Sequence, residues 1–201
     1  MIQTFKSSAG FSNTYVICRF SECIIINPSH SYEEIIEYIG NKKIVGIFIT
    51  EPSNITLDQI GYYDTNIYLS PRQFESINNN SIEGYDYKNK PPFNIESLNI
   101  IKLNLEEEFM FADLKIKSYE IIGAKKVLAC HLISNNLFTG SLFLNNKIIK
   151  KDKYKSAIYD LRRSVQSMVE DLKNPMIYNL IDKPRLLSTE ILLNEDLQNW
   201  A

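Results

Sequence analysis

Residues 44–49, IVGIFI, form an uninterrupted apolar run that ends at a polar break. A short β-branched run of this kind is typical of a strand that is buried on both faces. Residues 13–17 and 23–26 precede it as two strand patterns joined by a four-residue turn, which predicts a hairpin. Between the hairpin and the apolar run, Ser31 and Glu34 have the spacing of a capping box. The first 50 residues therefore predict a hairpin, a helix and a buried strand, in that order.

The rest of the chain continues to alternate strand and helix patterns. Ser70 is followed by a proline, which suits the first turn of a short helix. Residues 78–93 are polar and contain Tyr85 and Tyr87, which predicts a surface loop. Apolar residues recur at three- and four-residue spacing over residues 154–173, which predicts the clearest helix. Further strands are predicted at residues 99–105, 113–122, 126–133 and 176–181, and a last helix from Ser188 to Trp200.

This order of elements resembles the start of the metallo-β-lactamase fold, and most closely its glyoxalase-II-like (hydroxyacylglutathione hydrolase) branch. In that family the buried strand ends in a threonine, and H-x-H-x-D-H follows as the loop that holds two zinc ions. Here Thr50 is followed by Glu51-Pro52-Ser53-Asn54-Ile55-Thr56. The resemblance therefore implies that the three histidine positions carry Glu51, Ser53 and Thr56, and that the aspartate position carries Ile55.

Later segments continue the resemblance, although no motif is intact. Residues 136–143, NLFTGSLF, resemble the family's L-F-T-G-D-T-L-F segment, and Ser141 stands in place of the aspartate that bridges the metals. Residues 120–125 match the family's P-G-H-T-P-G segment, which puts Ile122 at the histidine position. Near the end, the histidine of the family's G-H-G corresponds to Ile181 or Asp182. Ile55 and Ile122 at former ligand positions predict that apolar side chains fill the old cleft.

The number of histidines is a separate argument against a zinc centre. The chain contains two, His30 and His131. A binuclear zinc site of this type needs several imidazoles, since neutral nitrogen donors match borderline-soft zinc. By the resemblance, neither histidine lies at a ligand position. The prediction is therefore no zinc and no other cofactor; the alternative is one Mg²⁺, Mn²⁺ or Ca²⁺ held by oxygens of Glu51, Asp58 and Asp182.

The resemblance implies a single domain over residues 1–201, a four-layer αββα sandwich of two mixed sheets with helices outside. The function predicted for it is non-catalytic: a binding or structural subunit of a larger cytosolic assembly, in which Trp200 or the loop of Tyr85 and Tyr87 contacts a protein partner. Trp200 alternatively packs as a plug. Another alternative is a hydrolase with a remodelled, non-zinc site for an ester, thioester or phosphodiester. Without any metal, such a site needs a serine or cysteine beside a base.

An RNA-associated protein is a third alternative, because residues 147–155 carry five lysines and a tyrosine, a composition that can contact a phosphate backbone. Against it, the formal net charge is -2 and the pI is about 5.8, which gives no global attraction to nucleic acid. The candidate contact residues are Lys147, Lys150, Lys151, Lys153 and Lys155.

Export and membrane insertion are not predicted. No signal-peptide pattern opens the chain, and no apolar stretch approaches the ~18 residues of a membrane span, so a cytoplasmic location is expected. Cys18 and Cys23 flank the hairpin turn and could face each other, while Cys130 lies in another predicted strand. Because three cysteines cannot form a complete set of pairs, all three are expected to be reduced packing residues, with a redox pair of Cys18 and Cys23 as the alternative.

Overall fold

The structure is a computed structural model that describes residues 2–6, 12–82, 85–89, 94–105, 107–148 and 155–200. The chain divides into two compact units, Met1–Asn104 and Leu105–Ala201. Within the described residues, each unit contains one six-stranded mixed sheet and three helices, and the second unit also contains a two-stranded sheet. The predicted fold class, with two mixed sheets and helices, is therefore confirmed, and the single domain over residues 1–201 stays a prediction.

The sheet of the first unit has the strands in sequence order, from β1 to β6. The pairs β1–β2 and β2–β3 are antiparallel, and the three pairs from β3 to β6 are parallel. The elements are β1 (Ile2–Phe5), β2 (Thr14–Arg19), β3 (Glu22–Ile26), α1 (Tyr32–Ile39), β4 (Lys43–Phe48), α2 (Asn54–Ile60), β5 (Ile67–Leu69), α3 (Pro71–Asn78) and β6 (Ile100–Lys102).

The core of the first unit forms between its helices and one face of its sheet. Alternate residues of the strands point to this face because side chains alternate along a strand. Ile47 belongs to this cluster, and its neighbours Gly46 and Phe48 on the other face of β4 are buried as well, as the apolar run predicts. The buried residues of the cluster include Val16, Ile25, Ile35, Ile39, Ile47, Leu57, Ile60, Ile67, Leu69 and Ile77.

The sheet of the second unit has the strand order β14-β13-β10-β9-β8-β7. Only β10 and β13 are parallel, and the remaining neighbours are antiparallel. The elements are β7 (Phe109–Phe111), β8 (Leu114–Ile121), β9 (Leu128–Ile133), β10 (Asn136–Gly140), β11 (Phe143–Leu144), β12 (Lys147–Ile148), α4 (Lys155–Glu170), β13 (Met176–Asn179), β14 (Arg185–Leu186), α5 (Leu187–Leu193) and α6 (Glu195–Trp200).

Helix α4 supplies the centre of the second core. Leu161, Val165 and Met168 are buried at the three- and four-residue spacing that the sequence predicts. Trp200 packs in the same cluster, and its backbone carbonyl accepts hydrogen bonds from Arg162 at 2.8 Å and Gln166 at 3.0 Å. Trp200 is therefore a packing residue, as one of the two alternatives predicts. The cluster also contains Ile121, Leu128, Cys130, Leu137, Leu142, Phe143, Ile177, Leu187 and Leu197.

The structure corrects several predicted element boundaries. The additional elements are helix α2 and strands β1, β5, β7, β11, β12 and β14. The predicted last helix is two helices that meet at Asn194. The side chain of Asn194 is buried, and its Oδ1 accepts hydrogen bonds from the backbone N–H groups of Asp196 and Leu197. This amide caps the start of α6, which explains the break. Helix α5 begins at Leu187 and not at a Ser188 cap.

The structure also corrects the prediction that all three cysteines are reduced. In the β2–β3 hairpin Cys18 lies directly opposite Cys23, and the two form a disulfide, while Cys130 is buried and is not part of a disulfide. An odd number of cysteines excludes a fully paired framework, but it does not exclude one local pair. The strand register, which sequence spacing alone does not fix, decides the pairing.

Ser70 and Ser31 both precede a helix, but only Ser70 of the two caps its helix. Ser70 Oγ accepts a hydrogen bond from the Gln73 backbone N–H, and the Gln73 side chain accepts one from the Ser70 N–H, which is a complete capping box at the start of α3. Ser31 makes no side-chain cap to α1, because its hydroxyl donates to Glu33 instead. The capping box predicted for Ser31 and Glu34 is therefore wrong.

Ser70→Ala is expected to lower the free energy of unfolding by about 1 kcal/mol, since it removes the acceptor of the Gln73 N–H. Ser31→Ala is the matched control, and we expect it to cost less than about 0.5 kcal/mol because no cap is lost. Urea unfolding followed by circular dichroism measures both. Equal costs for the two variants would contradict the difference in capping.

Candidate functional site

The loop after β4 is the first region to which the resemblance assigns metal ligands, and hydrogen bonds from two other segments fix where it begins. Asn27 accepts a hydrogen bond from the Thr50 backbone N–H at 2.8 Å and donates to Thr50 Oγ1 at 2.6 Å. Gln73 Nε2 donates to the carbonyls of Ile49 and Thr50 at 3.0 and 2.9 Å. All four residues are buried. The loop therefore starts from a rigid polar anchor.

The next residues serve as the start of α2. Ser53 is the N-cap residue: its Oγ accepts a hydrogen bond from the Thr56 N–H at 3.2 Å and donates to Thr56 Oγ1 at 2.9 Å. Glu51 and Thr56 are buried, and Ile55 is half-buried. Ser53 and Thr56, which the resemblance assigns to two of the three histidine positions, therefore carry hydroxyl groups that bind each other. The Ser53 hydroxyl also binds the helix backbone.

In the second unit, Ile122 and Ser141 lie in different surroundings. Ser141 is buried directly after β10. Ile122 follows β8, is 45% exposed, and donates its backbone N–H to Ser164 Oγ at 3.2 Å. It lines a polar cavity of about 500 Å³ beside β8 and α4, to which Tyr119 and Arg163 also contribute. The expectation that Ile122 fills a closed site is therefore wrong.

Asp182 is held by a network within the second unit. Its Oδ2 accepts a hydrogen bond from Asn179 Nδ2 at 2.8 Å and lies 3.4 Å from Arg185 Nη2. The backbone N–H of Asp182 donates to Asn179 Oδ1 at 2.7 Å. Arg185 also donates to Asn146 Oδ1 at 2.7 Å and lies 3.1 Å from Glu190, which is fully buried. The Asp182 carboxylate therefore already has a cation and an amide as partners.

Both histidines lie in ordinary structural settings. His30 Nε2 lies 2.7 Å from the Glu34 carboxylate, one helical turn away, and its ring lies against Phe5 with the centroids 5.4 Å apart. His131 is fully buried on β9, where its Nδ1 lies 2.9 Å from Ser118 Oγ on β8. Ser118 and His131 resemble a nucleophile and a base in distance, but Ser118 is only 2% exposed. Ser118 borders the cavity beside β8 and α4, but almost none of its surface is open to solvent.

The residues at the positions that the resemblance assigns to metal ligands do not fit a binuclear zinc centre. Zinc takes thiolate, imidazole or carboxylate ligands, and of the seven positions only Glu51 and Asp182 carry such a group. Over the described ranges, no group of three or more histidine, cysteine, aspartate or glutamate side chains could hold a metal ion. The alternative of one cation held by Glu51, Asp58 and Asp182 is therefore not supported.

The lysines proposed to contact nucleic acid fall mostly outside the described residues. Lys150, Lys151 and Lys153 lie outside them, and Lys155 starts α4 without a described side chain. Lys147 lies on β12, is largely exposed, and lies 3.9 Å from Glu195. One described lysine beside a carboxylate does not form a basic surface. Nucleic-acid binding therefore stays a prediction of the sequence.

Sequence reasoning missed the residues that fix the candidate segments within each unit. Asn27, Gln73, Asn179 and Arg185 make the connections described above, and none of them belongs to a metal motif. One local signal existed for Asn179, because asparagine side chains often bind backbone N–H groups two and three residues ahead, as this one does with Ile181 and Asp182. The contacts of Gln73 with Ile49 and Thr50, directly after β4, span more than 20 residues, and no local pattern predicts them.

Within the described ranges, no helix has both the length and the apolar character to cross a bilayer. Comparisons with known sequences were also negative. No protein-family model matches the sequence, and no curated protein matches it.

Solved structures, in contrast, match the chain over almost its whole length. The BLEG-1 B3 metallo-β-lactamase has a TM-score of 0.78 at 14% identity, covering 98% of this chain and 99% of its own. ETHE1 from Myxococcus xanthus has a TM-score of 0.73 at 13% identity, covering 99% and 85%. TTHA1623 in a di-iron-bound form has a TM-score of 0.72 at 12% identity, covering 97% and 100%. The chain therefore has the metallo-β-lactamase fold.

Proposed function

We propose that this protein is a non-catalytic form of the metallo-β-lactamase fold, and that it acts as a binding or structural subunit of a larger cytosolic assembly. The observation that carries the proposal is the set of partners of Asp182. A carboxylate at a former ligand position is joined to Asn179 and Arg185, which in turn contacts Asn146 and Glu190. The polar residues there stabilise the protein itself.

Electrostatics make Asp182 a poor metal ligand. A divalent cation at this carboxylate would lie next to the guanidinium of Arg185, and like charges a few ångströms apart repel strongly in a half-buried site. Moving Arg185 away would leave Glu190, which is fully buried, without its cation. Metal binding would therefore cost the protein an internal ion pair.

The first unit gives a second, independent support. Ser53 and Thr56 are neutral hydroxyls, and both are already used to start α2. Without zinc, the activated hydroxide and the Lewis acid on which the family's hydrolysis depends are both missing. The metal-free alternative needs a reachable nucleophile beside a base, and Ser118 beside His131 is buried. These features favour a non-catalytic role over a remodelled hydrolase.

A binding role is supported by apolar side chains on α5. Leu192 is 73% exposed and Leu193 is 47% exposed, and Leu186 just before the helix is also exposed. Neighbouring exposed leucines are a feature of interaction surfaces, whereas single ones are common on any protein. The contacts expected from the sequence are weaker candidates. Trp200 is buried, and the Tyr87 hydroxyl accepts a hydrogen bond from the Ile82 N–H.

The first test is the metal content of protein purified without a metal-binding tag and dialysed against a weak chelator. We expect zinc, iron, manganese and calcium far below one ion per chain by plasma mass spectrometry, because the donor set does not fit these ions. Asp182→Asn should leave these values unchanged. One or more tightly held ions per chain would contradict the proposal and would require assays for hydrolysis.

The second test uses the same native preparation and measures whether binding of a partner protein depends on α5. We expect a stoichiometric complex by size-exclusion chromatography with mass determination, and we expect Leu192→Lys to dissociate it because a charge would be buried at the contact. Tyr159→Lys is the matched control, since Tyr159 is exposed at 67% on another helix. A monomer without partners, or equal loss in both variants, would argue against a binding role for this surface.

A further inference from the structure

We propose that Cys18 and Cys23 form a reversible thiol–disulfide exchange site for low-molecular-weight thiols of the glutathione type. The inference does not depend on the proposed function. The two cysteines join β2 and β3 beside the four-residue turn of the hairpin. Three observations carry the proposal: the register of the pair, the unequal burial of the two residues, and the short loop that the bond closes.

The register keeps the two cysteines together in either redox state. Cys18 is paired directly with Cys23, and the pairing continues on both sides, with Ile17 opposite Ile24 and Arg19 opposite Glu22. Directly opposed residues of an antiparallel pair have their Cα atoms close enough for a disulfide. Breaking the bond therefore requires no change in backbone pairing, and the two thiols stay in position to form it again.

Burial makes the two cysteines unequal. Cys23 is fully buried in the core cluster of the first unit, whereas Cys18 is partly exposed at the edge of that cluster. Phe20 at the tip of the turn is 78% exposed, so the end of the hairpin is in contact with solvent. Since exchange requires access to a sulfur atom, an external thiolate attacks Cys18 Sγ.

The exchange is balanced in two steps. The thiolate of the first external thiol bonds to Cys18 Sγ, the bond between the two protein sulfurs breaks, and its electron pair goes to Cys23 Sγ, which takes up a proton. A second external thiolate attacks the external sulfur of the mixed disulfide and releases Cys18 as a thiolate, which is protonated. Two external thiols are oxidised to one disulfide, and one protein disulfide is reduced to two thiols.

The length of the closed loop argues against a purely stabilising role. A disulfide stabilises a fold mainly by constraining the unfolded chain, and the effect grows with the number of residues between the cysteines. Here the sequence separation is 5 residues, and the hairpin pairing already holds the segment. Removing the bond therefore costs the fold little, and exchange at this site is compatible with a folded protein.

The test is a titration of the full-length native protein with mixtures of reduced and oxidised glutathione. After an acid quench, free thiols are alkylated under denaturing conditions and counted by mass spectrometry. We expect one alkylated cysteine, Cys130, in oxidised glutathione and all three in an excess of reduced glutathione, with full reversal. A protein that keeps its disulfide in excess reduced glutathione, or that never forms it in oxidised glutathione, would overturn the proposal.

Two variants test which sulfur is attacked. In Cys23→Ala, Cys18 is expected to take up one glutathione from oxidised glutathione. In Cys18→Ala, the buried Cys23 is expected to react at least about tenfold more slowly, because exposure controls reactivity. Cys130, which is buried and is not part of the disulfide, is the internal reference for unfolding during the reaction. Equal rates at Cys18 and Cys23, with Cys130 unreacted, would contradict the assignment of Cys18.

Discussion

Replacing Gly123 with alanine is expected to lower the free energy of unfolding by about 3 kcal/mol or more, from steric overlap and left-handed backbone strain together. Gly123 follows β8 with a φ of +82°, and a Cβ atom there would lie 2.1 Å from the carbonyl oxygen of Ala157 and 2.8 Å from the backbone nitrogen of Leu161. Both are backbone atoms of α4, which cannot move aside as a side chain can. The absence of a Cβ lets the end of β8 approach α4 closely.

Gly40 is the matched control for this substitution. It ends α1 with a φ of +61°, and nothing lies within 4 Å of the position that a Cβ would take. Gly40→Ala therefore carries the backbone strain alone, about 1 to 2 kcal/mol. Chemical unfolding of both variants under the same conditions measures the difference. If Gly123→Ala costs no more than Gly40→Ala, the contact between β8 and α4 is looser than described.

Where periodicity and burial agree, the sequence predicts the fold well. The apolar run of β4 and the three- and four-residue spacing in α4 predict elements whose residues are buried as expected, among them Ile47, Leu161 and Val165. These patterns arise from the geometry of a strand or helix against a core, so they can be read without knowing the neighbours. The match to the metallo-β-lactamase fold follows from the order of such elements.

Features that depend on distant partners were not predictable in the same way. Pro52 and Ser53 look like a loop, and the resemblance to a metal-binding segment supports that interpretation, yet Ser53 caps α2. Ser31 and Ser70 have equally good capping patterns, but only Ser70 caps its helix. A side-chain hydroxyl can choose among several nearby acceptors and donors, and local sequence does not decide among them.

The resemblance supplies candidate positions for the site, but not the interactions of the residues that lie there. The resemblance assigns a former ligand position to Ile181 or Asp182, but Arg185, the cation beside the Asp182 carboxylate, belongs to no motif of the family. Ile122 is a second example. The resemblance assigns it to a former ligand position, where it was expected to be buried, but its side chain is exposed. Which side chains fill a site depends on its neighbours in space.

The ion pair of Arg185 and Glu190 leads to a second prediction of a large loss in free energy of unfolding. Glu190 is fully buried, its Oε1 accepts a hydrogen bond from Asn194, and its Oε2 lies 3.1 Å from Arg185 Nε. Within the described residues Oε2 has no hydrogen bond of good geometry, so its charge depends on the guanidinium. Removing that cation leaves a buried carboxylate without compensation, which costs far more than loss of a surface pair.

Arg185→Met is therefore expected to lower the free energy of unfolding by about 3 kcal/mol or more. Arg163→Met is the control, since Arg163 is exposed on α4, and we expect it to cost less than about 0.5 kcal/mol. Chemical unfolding measures both variants. A similar small cost for Arg185→Met would mean that water reaches Glu190 and that the network around Asp182 contributes little to the fold.

A second substitution separates loss of the ion pair from loss of packing by the arginine side chain. Glu190→Gln removes the buried charge but keeps the acceptor for Asn194, so adding it to Arg185→Met should recover much of the lost stability. If the double variant is as unstable as Arg185→Met alone, the guanidinium acts through Asp182 and Asn146 and not through Glu190. In either case, the loss in free energy of unfolding measures how much the residues beside Asp182 contribute to the stability of the fold. A large loss supports a site that no longer binds metal.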